Sequence, residues 1–123
     1  MKDVLNERIK HREGFRPFAP VVPLESVSEY FELDRPSPFM LLVAQGKAEV
    51  ADEIPAVLHH DGSARVQTVT QEENGVFYDL LKEFGEITGV PVVLNTSFND
   101  SGEPIVETPK DALVMFGKSE LDY

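Results

Sequence analysis

The order of periodic segments predicts an α/β (α+β) domain, in which short strands of one sheet alternate with flanking helices. An alternating segment over residues 65–70 precedes a helical repeat over residues 76–88 and an apolar strand over residues 90–94. A further helix is predicted to begin at Thr108. With 123 residues, the chain is long enough for one core, so we expect a single domain over residues 1–123.

The first third of the chain is predicted to form a helix, an extended segment, a second helix and a strand. Residues 3–12 have a weak helical pattern, and three prolines favour extended geometry over residues 16–23. A capping box opened by Ser26 predicts a short helix over residues 26–33. The continuous apolar run of residues 39–44 is typical of a buried strand.

The middle of the chain is predicted to lead from a loop into a strand with one wet face. Residues 49–54 are acidic and indicate a loop, and residues 56–58 are predicted to form a short strand. The residues of a turn, His60-Asp61-Gly62-Ser63, then precede the alternating segment that begins at Arg65.

Two helices in the last third have the clearest local signals. The first has an apolar stripe at helical spacing and ends at Gly89, a residue suited to a C-terminal cap. The stripe consists of Phe77, Leu80, Leu81, Phe84 and Ile87. The second helix begins with Thr108 as cap, Pro109 at its first position and Asp111 near the positive end of the helix dipole.

The composition excludes several classes of function. A net charge of −11 argues against a nucleic-acid partner, because phosphate backbones attract basic surfaces. No apolar run is long enough to span a membrane, and no secretory signal opens the chain, so we expect a cytoplasmic protein. Cysteine is absent, and the adjacent His59 and His60 have no third ligand nearby, so no metal site is predicted.

A basic segment near the start of the chain is the first candidate site. Residues 1–16 hold five of the eleven basic side chains. In extended geometry, alternate side chains share a face, so Lys10, Arg12 and Arg16 are predicted to meet one anion. The alternative, in which these side chains form surface salt bridges with Glu7 and Glu13, stays open.

Two further polar segments are candidate sites. Arg65 follows the turn at residues 60–63, whose amides suit an anion, although a purely structural turn is the alternative. After the strand of residues 90–94, Ser97 and Asn99 are two apart, so both side chains are predicted to face one way and to hold a phosphate or an acyl group. No nucleophile elbow or Walker A loop is present, and no catalytic residue is assigned.

Three blocks of residues resemble one known family. They are Lys10-His11-Arg12-Glu13 with Phe15-Arg16-Pro17-Phe18-Ala19-Pro20, the block His60 to Val69, and Leu94-Asn95-Thr96-Ser97-Phe98-Asn99 with Gly102-Glu103-Pro104-Ile105-Val106 and Thr108-Pro109. In this order they resemble the C-terminal domain of the carbamoyltransferases, a family that includes nodulation and antibiotic O-carbamoyltransferases. The resemblance runs nearly end to end.

The resemblance implies a fold and a reaction. The fold is that of YrdC/Sua5-like domains, which have a twisted sheet with flanking helices. There, carbamoyl phosphate and ATP, accompanied by Mg²⁺ through its phosphates, form carbamoyl-adenylate with release of phosphate and pyrophosphate. A Kae1-like N-terminal domain then transfers the carbamoyl group to a hydroxyl of the acceptor.

The resemblance also implies roles for individual residues. The Lys-x-Arg pair of YrdC-type domains corresponds to Lys10 and Arg12, and the Ser-x-Asn pair corresponds to Ser97 and Asn99. Three more binding candidates come from the same blocks. They are Arg16, Arg65 and Asn95.

The chain departs from the family pattern in two ways. Asp100-Ser101 stands where many members have an apolar residue and then a basic or amide residue, which adds a negative charge beside the proposed phosphate site. The Kae1-like domain does not precede these blocks, so we expect an excised domain, a truncated product or half of a split enzyme without full activity. A non-catalytic module that binds nucleotide or a partner protein is the alternative.

Overall fold

A computed structural model describes residues 1–122, which fall into two compact units. The sheet unit is residues 18–95, and the loop unit is residues 1–17 together with 96–122. The helices are α1 (Lys2–Arg8), α2 (Val27–Tyr30), α3 (Gly75–Thr88) and α4 (Pro109–Lys118). The strands are β1 (Ala19–Pro23), β2 (Leu42–Gln45), β3 (Ser63–Val69) and β4 (Val93–Asn95), and short 3₁₀ turns occupy Leu24–Ser26 and Ala48–Val50.

The sheet unit contains an open, mixed sheet with the strand order β2-β3-β1-β4. The central strands β1 and β3 are parallel, with Val21 opposite Gln67. The outer strands are antiparallel to their neighbours, with Val93 opposite Val21 and Val43 opposite Arg65. Since the chain combines this sheet with helices between and beside its strands, the predicted α/β (α+β) class is confirmed.

Helix α3 covers one face of this sheet. Val21, Val69 and Leu81 form a buried cluster between helix and strands. The helix starts where the Asn74 side chain accepts a hydrogen bond from the backbone N–H of Phe77, a cap that local propensity did not reveal. It ends at Gly89, whose φ of +82° requires a left-handed conformation, as the sequence predicts.

The apolar stripe of α3 is less buried than its spacing suggests. Leu81 is fully buried, whereas Leu80 and Ile87 are 53% and 82% exposed. A helix that packs on a sheet along a single line buries a narrower strip than one surrounded by other elements. The prediction of the helix is therefore confirmed, and its apolar stripe is buried only in part.

The prediction of a buried strand over residues 39–44 is also wrong. The strand is Leu42–Gln45, and Leu41 and Val43 are 80% and 68% exposed. The physical reason is its place at the edge of an open sheet: on one face Ala44 is buried and Leu42 half-buried, while Val43 and Gln45 on the other face are exposed.

Two smaller predictions fail in the sheet unit, and one holds in the loop unit. The helix expected over residues 26–33 is only Val27–Tyr30, and the Ser26 side chain makes no cap bond because its backbone is already helical. Residues 56–58 form a turn instead of a strand. By contrast, Thr108 caps α4 as predicted, in a reciprocal capping box with Asp111.

None of the helices in the described part of the chain has the length and apolarity needed to cross a membrane.

Candidate functional site

The basic segment turns sharply just after α1 instead of running extended. The backbone N–H of Lys10 donates to the carbonyl of Leu5, and that of Arg12 donates to the carbonyl of Asn6. His11, between them, has a φ of +44°, in the left-handed region. The extended geometry predicted for Lys10 to Arg16 is therefore wrong, because these backbone bonds close the end of the helix first.

This turn buries Lys10 against the polar loop. The side chain is 5% exposed, and its ammonium donates to the Ser97 carbonyl at 2.8 Å and to Asn99 Oδ1 at 2.8 Å. It also donates to the Asn99 carbonyl and, at 3.4 Å, to Ser97 Oγ. An ammonium has three hydrogens for these four oxygens, so the lysine is fully engaged by the loop. Side chains separated by 87 and 89 residues are thereby brought together.

The surroundings of Lys10 lower the pKa of its ammonium. Burial lowers the pKa of the Lys10 ammonium, and the positive charge of Arg12 lowers it further, while the Asp100 carboxylate raises it. A bound anion at this position would offset both lowering effects.

The loop itself is ordered by its own polar groups. Ser97 Oγ donates to Asn99 Oδ1 at 2.6 Å, and Asn99 Nδ2 donates to the carbonyl of Glu103 at 2.7 Å. Gly102, with a φ of +77°, allows the turn between them and α4. Ser97 and Asn99 thus converge on one point, as their spacing predicts.

Arg12 is held by a residue that the sequence did not single out. Its Nε donates to Asn6 Oδ1 at 2.7 Å, and Asn6, on α1, is fully buried. Burial lowers the pKa of the Arg12 guanidinium, and the nearby charge of Arg16 lowers it further, while Glu13 raises it. An asparagine within a helical segment has no local signal for this role, because the contact depends on how the chain turns after α1.

Arg16 follows the alternative that was left open for this segment. Its Nε lies 3.1 Å from Glu13 Oε2, and both side chains are more than half exposed. An exposed pair three residues apart contributes little to stability. The structure therefore separates the basic residues into a buried lysine, a buttressed Arg12 and a solvated Arg16.

Arg65 and Asn95 lie in the sheet unit. Arg65 is exposed on β3, and the Asn95 amide on β4 donates to Gln67 Oε1 at 2.7 Å. The turn before β3 is stabilised from within, because Asp61 Oδ1 accepts from the backbone N–H and the hydroxyl of Ser63. These hydroxyl and amide donors lower the pKa of Asp61, which agrees with the structural interpretation of this turn.

Asp100, the departure from the family pattern, is paired with a histidine. Its Oδ1 lies 2.8 Å from His11 Nδ1 and accepts from the backbone N–H of Ser101 at 2.6 Å. These two hydrogen bonds lower the pKa of the Asp100 carboxyl, and the one with His11 has the larger effect. The extra negative charge of Asp100 therefore lies beside the His11 ring.

Among residues 1–122, no group of histidine, aspartate and glutamate is arranged to hold a metal ion.

The fold and the site together define a class of protein. It is a small α+β chain in which a buried lysine joins a basic turn to a Ser-x-Asn loop. The sequence profile described as "Carbamoyltransferase C-terminus" matches residues 1–123, and the chain belongs to this family.

Several nodulation proteins are similar to this chain over most of its length. Nodulation protein NolO of Bradyrhizobium diazoefficiens is 41% identical over 98% of the chain, and nodulation protein NolNO of Sinorhizobium fredii is 43% identical over 98% of it. Nodulation protein U of Rhizobium tropici is 44% identical over 83% of the chain. The chain spans 23%, 18% and 18% of these three proteins, respectively.

Proposed function

We propose that this chain is the ATP- and carbamoyl-phosphate-binding part of an O-carbamoyltransferase, which forms carbamoyl-adenylate for transfer to an acceptor hydroxyl. The observation that carries this proposal is the contact of the Lys10 ammonium with Ser97 and Asn99. Membership of the carbamoyltransferase C-terminal family supports it. A Kae1-like domain, supplied in cis or in trans in the cytoplasm, would complete the transfer.

The donor set suits the charges of this reaction. Water first cleaves carbamoyl phosphate into carbamate and inorganic phosphate. A carbamate oxygen then attacks the α-phosphorus of ATP and the bond to pyrophosphate breaks, so negative charge grows on the leaving group. The ammonium of Lys10 and the guanidinium of Arg12 are the kinds of group that stabilise such charge. Mg²⁺, bound through the nucleotide phosphates, would supply the remaining positive charge.

Ser97 and Asn99 are assigned to the small planar carbamoyl group. A hydroxyl and an amide offer both donors and acceptors, which matches a group with a carbonyl and an NH₂. Because the Lys10 hydrogens are already engaged, a phosphate oxygen can bind the ammonium only by replacing one of the loop oxygens. Ligand binding is therefore expected to rearrange residues 97–103.

A pair of serine variants in the same loop tests this assignment. We expect Ser97→Ala to weaken binding of carbamoyl phosphate about tenfold, because the variant loses one hydrogen bond to the carbamoyl group. Ser101→Ala is the matched control, because its backbone N–H, which bonds Asp100, is retained. Isothermal titration calorimetry measures both. No binding by the parent chain, or equal losses in the two variants, would contradict the proposal.

Asp100 motivates a second candidate function, a non-catalytic module that binds nucleotide or docks a partner protein. Its carboxylate adds negative charge to the loop that contains Ser97 and Asn99. The two functions differ in turnover. Release of pyrophosphate from ATP in the presence of carbamoyl phosphate supports the enzyme part, whereas nucleotide binding without release, even with the rest of a relative added in trans, supports the module.

A further inference from the structure

Asn6 is a buried polar side chain whose hydrogen bonds all lead to the basic turn. It is fully buried on α1, and an amide in that position costs free energy unless its polar atoms are paired. Its Oδ1 accepts from Arg12 Nε at 2.7 Å, and its Nδ2 donates to the Arg16 carbonyl at 2.9 Å and, more weakly, to the Gly14 carbonyl at 3.4 Å. One side chain thus joins the helix to residues 12–16.

The backbone of Asn6 reinforces the same contact. Its carbonyl accepts from the backbone N–H of Arg12 at 3.0 Å, so both the main chain and the side chain of Arg12 are attached to one residue. An amide is suited to this because it combines an acceptor with two donors. Aspartate would keep the acceptor and lose the donors, and alanine would lose both.

We infer that Asn6 is a positioning residue, which orients the Arg12 guanidinium toward the phosphates of the nucleotide; this inference rests on the proposed function. A guanidinium is planar, so a hydrogen bond that fixes Nε–H restricts the plane in which the whole group lies. Arginine binds phosphate through two N–H groups in a set geometry, and this geometry is lost when the plane rotates. Without the Asn6 acceptor, Arg12 keeps its charge and loses the hydrogen bond that fixes its Nε–H.

A double-mutant cycle tests the inference on the full chain. We expect Asn6→Ala and Arg12→Lys each to raise the dissociation constant of Mg-ATP about tenfold. Because Asn6 acts through Arg12, the dissociation constant of Mg-ATP for the double variant should be at most about twofold higher than that of the single variant with the lower affinity. A combined loss near a hundredfold would mean independent effects and would overturn the positioning role.

A stability control separates positioning from folding. Asn74→Ala makes the same chemical change at the cap of α3 and removes a hydrogen bond from the sheet unit. It is expected to lower stability without weakening Mg-ATP binding at temperatures where the chain is folded. If Asn74→Ala weakened binding as much as Asn6→Ala, the effect of Asn6 would be one of general stability, and the inference would fail.

Hydrogen exchange of the Arg12 Nε–H, followed by nitrogen-15 NMR without nucleotide, distinguishes the inference from the proposed function. We expect exchange at least tenfold faster in Asn6→Ala than in the parent, and slow exchange retained in Asn6→Asp, which keeps the acceptor and serves if the alanine variant does not fold. Equal exchange rates in the parent and in Asn6→Ala, or fast exchange in Asn6→Asp, would overturn the inference. A parent chain that binds no Mg-ATP would overturn the proposed function, while the exchange rates would still decide whether Asn6 orients Arg12.

Discussion

Different kinds of interaction stabilise each of the two units from within. In the sheet unit, the backbone hydrogen bonds between strands and the buried cluster of Val21, Val69 and Leu81 provide the stability. The candidate binding residue Arg65 is exposed there. In the loop unit, the buried side chains of Asn6 and Lys10 bind carbonyl oxygens of neighbouring segments. Stability and binding are therefore expected to be separable by mutation in the sheet unit and inseparable in the loop unit.

The largest expected effect is on the core of the sheet unit. Leu81→Ala removes a fully buried side chain and leaves a cavity between α3 and the strands, so we expect a loss of about 3 kcal/mol in the free energy of unfolding. Ile87→Ala, on an 82% exposed side chain of the same helix, is the control and should change it by less than about 0.5 kcal/mol. Urea unfolding followed by circular dichroism measures both, and similar values for the two would show that this cluster is not the core.

An intermediate effect is expected for Lys10→Met in the loop unit. This change keeps the length of the side chain and removes the donor shared by Ser97 and Asn99, which should cost about 2 kcal/mol, the range for a hydrogen-bonded charged group. Binding of Mg-ATP should fall in the same variant. Arg65→Met is the matched control, since Arg65 is exposed and its loss should leave the unfolding free energy unchanged. If Lys10→Met lost Mg-ATP binding while its unfolding free energy stayed unchanged, stability and binding would be separable in the loop unit, and the expected difference between the units would be wrong.

In both units, how much of the structure could be predicted from the sequence depends on how far apart the interacting residues lie along the chain. Helix α3, its cap at Gly89 and the N-terminal cap at Thr108 depend on residues within a few positions of each other, and all three predictions are confirmed. The exposure of Val43 depends on which strand lies at the edge of the sheet, which no local pattern encodes.

The candidate site shows the same division. Lys10, Ser97 and Asn99 were proposed for one site from the family resemblance, and the structure shows them in contact, while their role in ligand binding stays a prediction. The spacing of Ser97 and Asn99 predicts that their side chains share a face of an extended segment; in the structure they are in contact at a bend over residues 98 and 99. Asn6 was missed because its importance comes from the left-handed turn at His11, which folds Arg12 back onto α1.

The smallest expected effect is a dependence on pH that compares one aspartate from each unit. The pKa of Asp100 is lowered by hydrogen bonds from His11 and Ser101, and the pKa of Asp61 is lowered by Ser63. A lowered folded-state pKa stabilises the protein above the ordinary aspartate pKa of about 3.9, and this stabilisation is lost as the pH falls through the lower folded-state value. Both aspartates should therefore contribute at pH 5 and lose that contribution toward pH 3.

The two contributions should differ because the partners differ in distance along the chain. Ser63 is two residues from Asp61, so part of that turn persists after unfolding and its effect cancels, whereas His11 is 89 residues from Asp100 and separates from it completely. We therefore expect Asp100→Asn to reduce the loss of stability between pH 5 and pH 3 more than Asp61→Asn does. Urea unfolding of the parent and both variants at the two pH values measures this. A larger effect for Asp61→Asn would mean that the loop unit depends on the pairing of Asp100 with His11 less than the sheet unit depends on its turn.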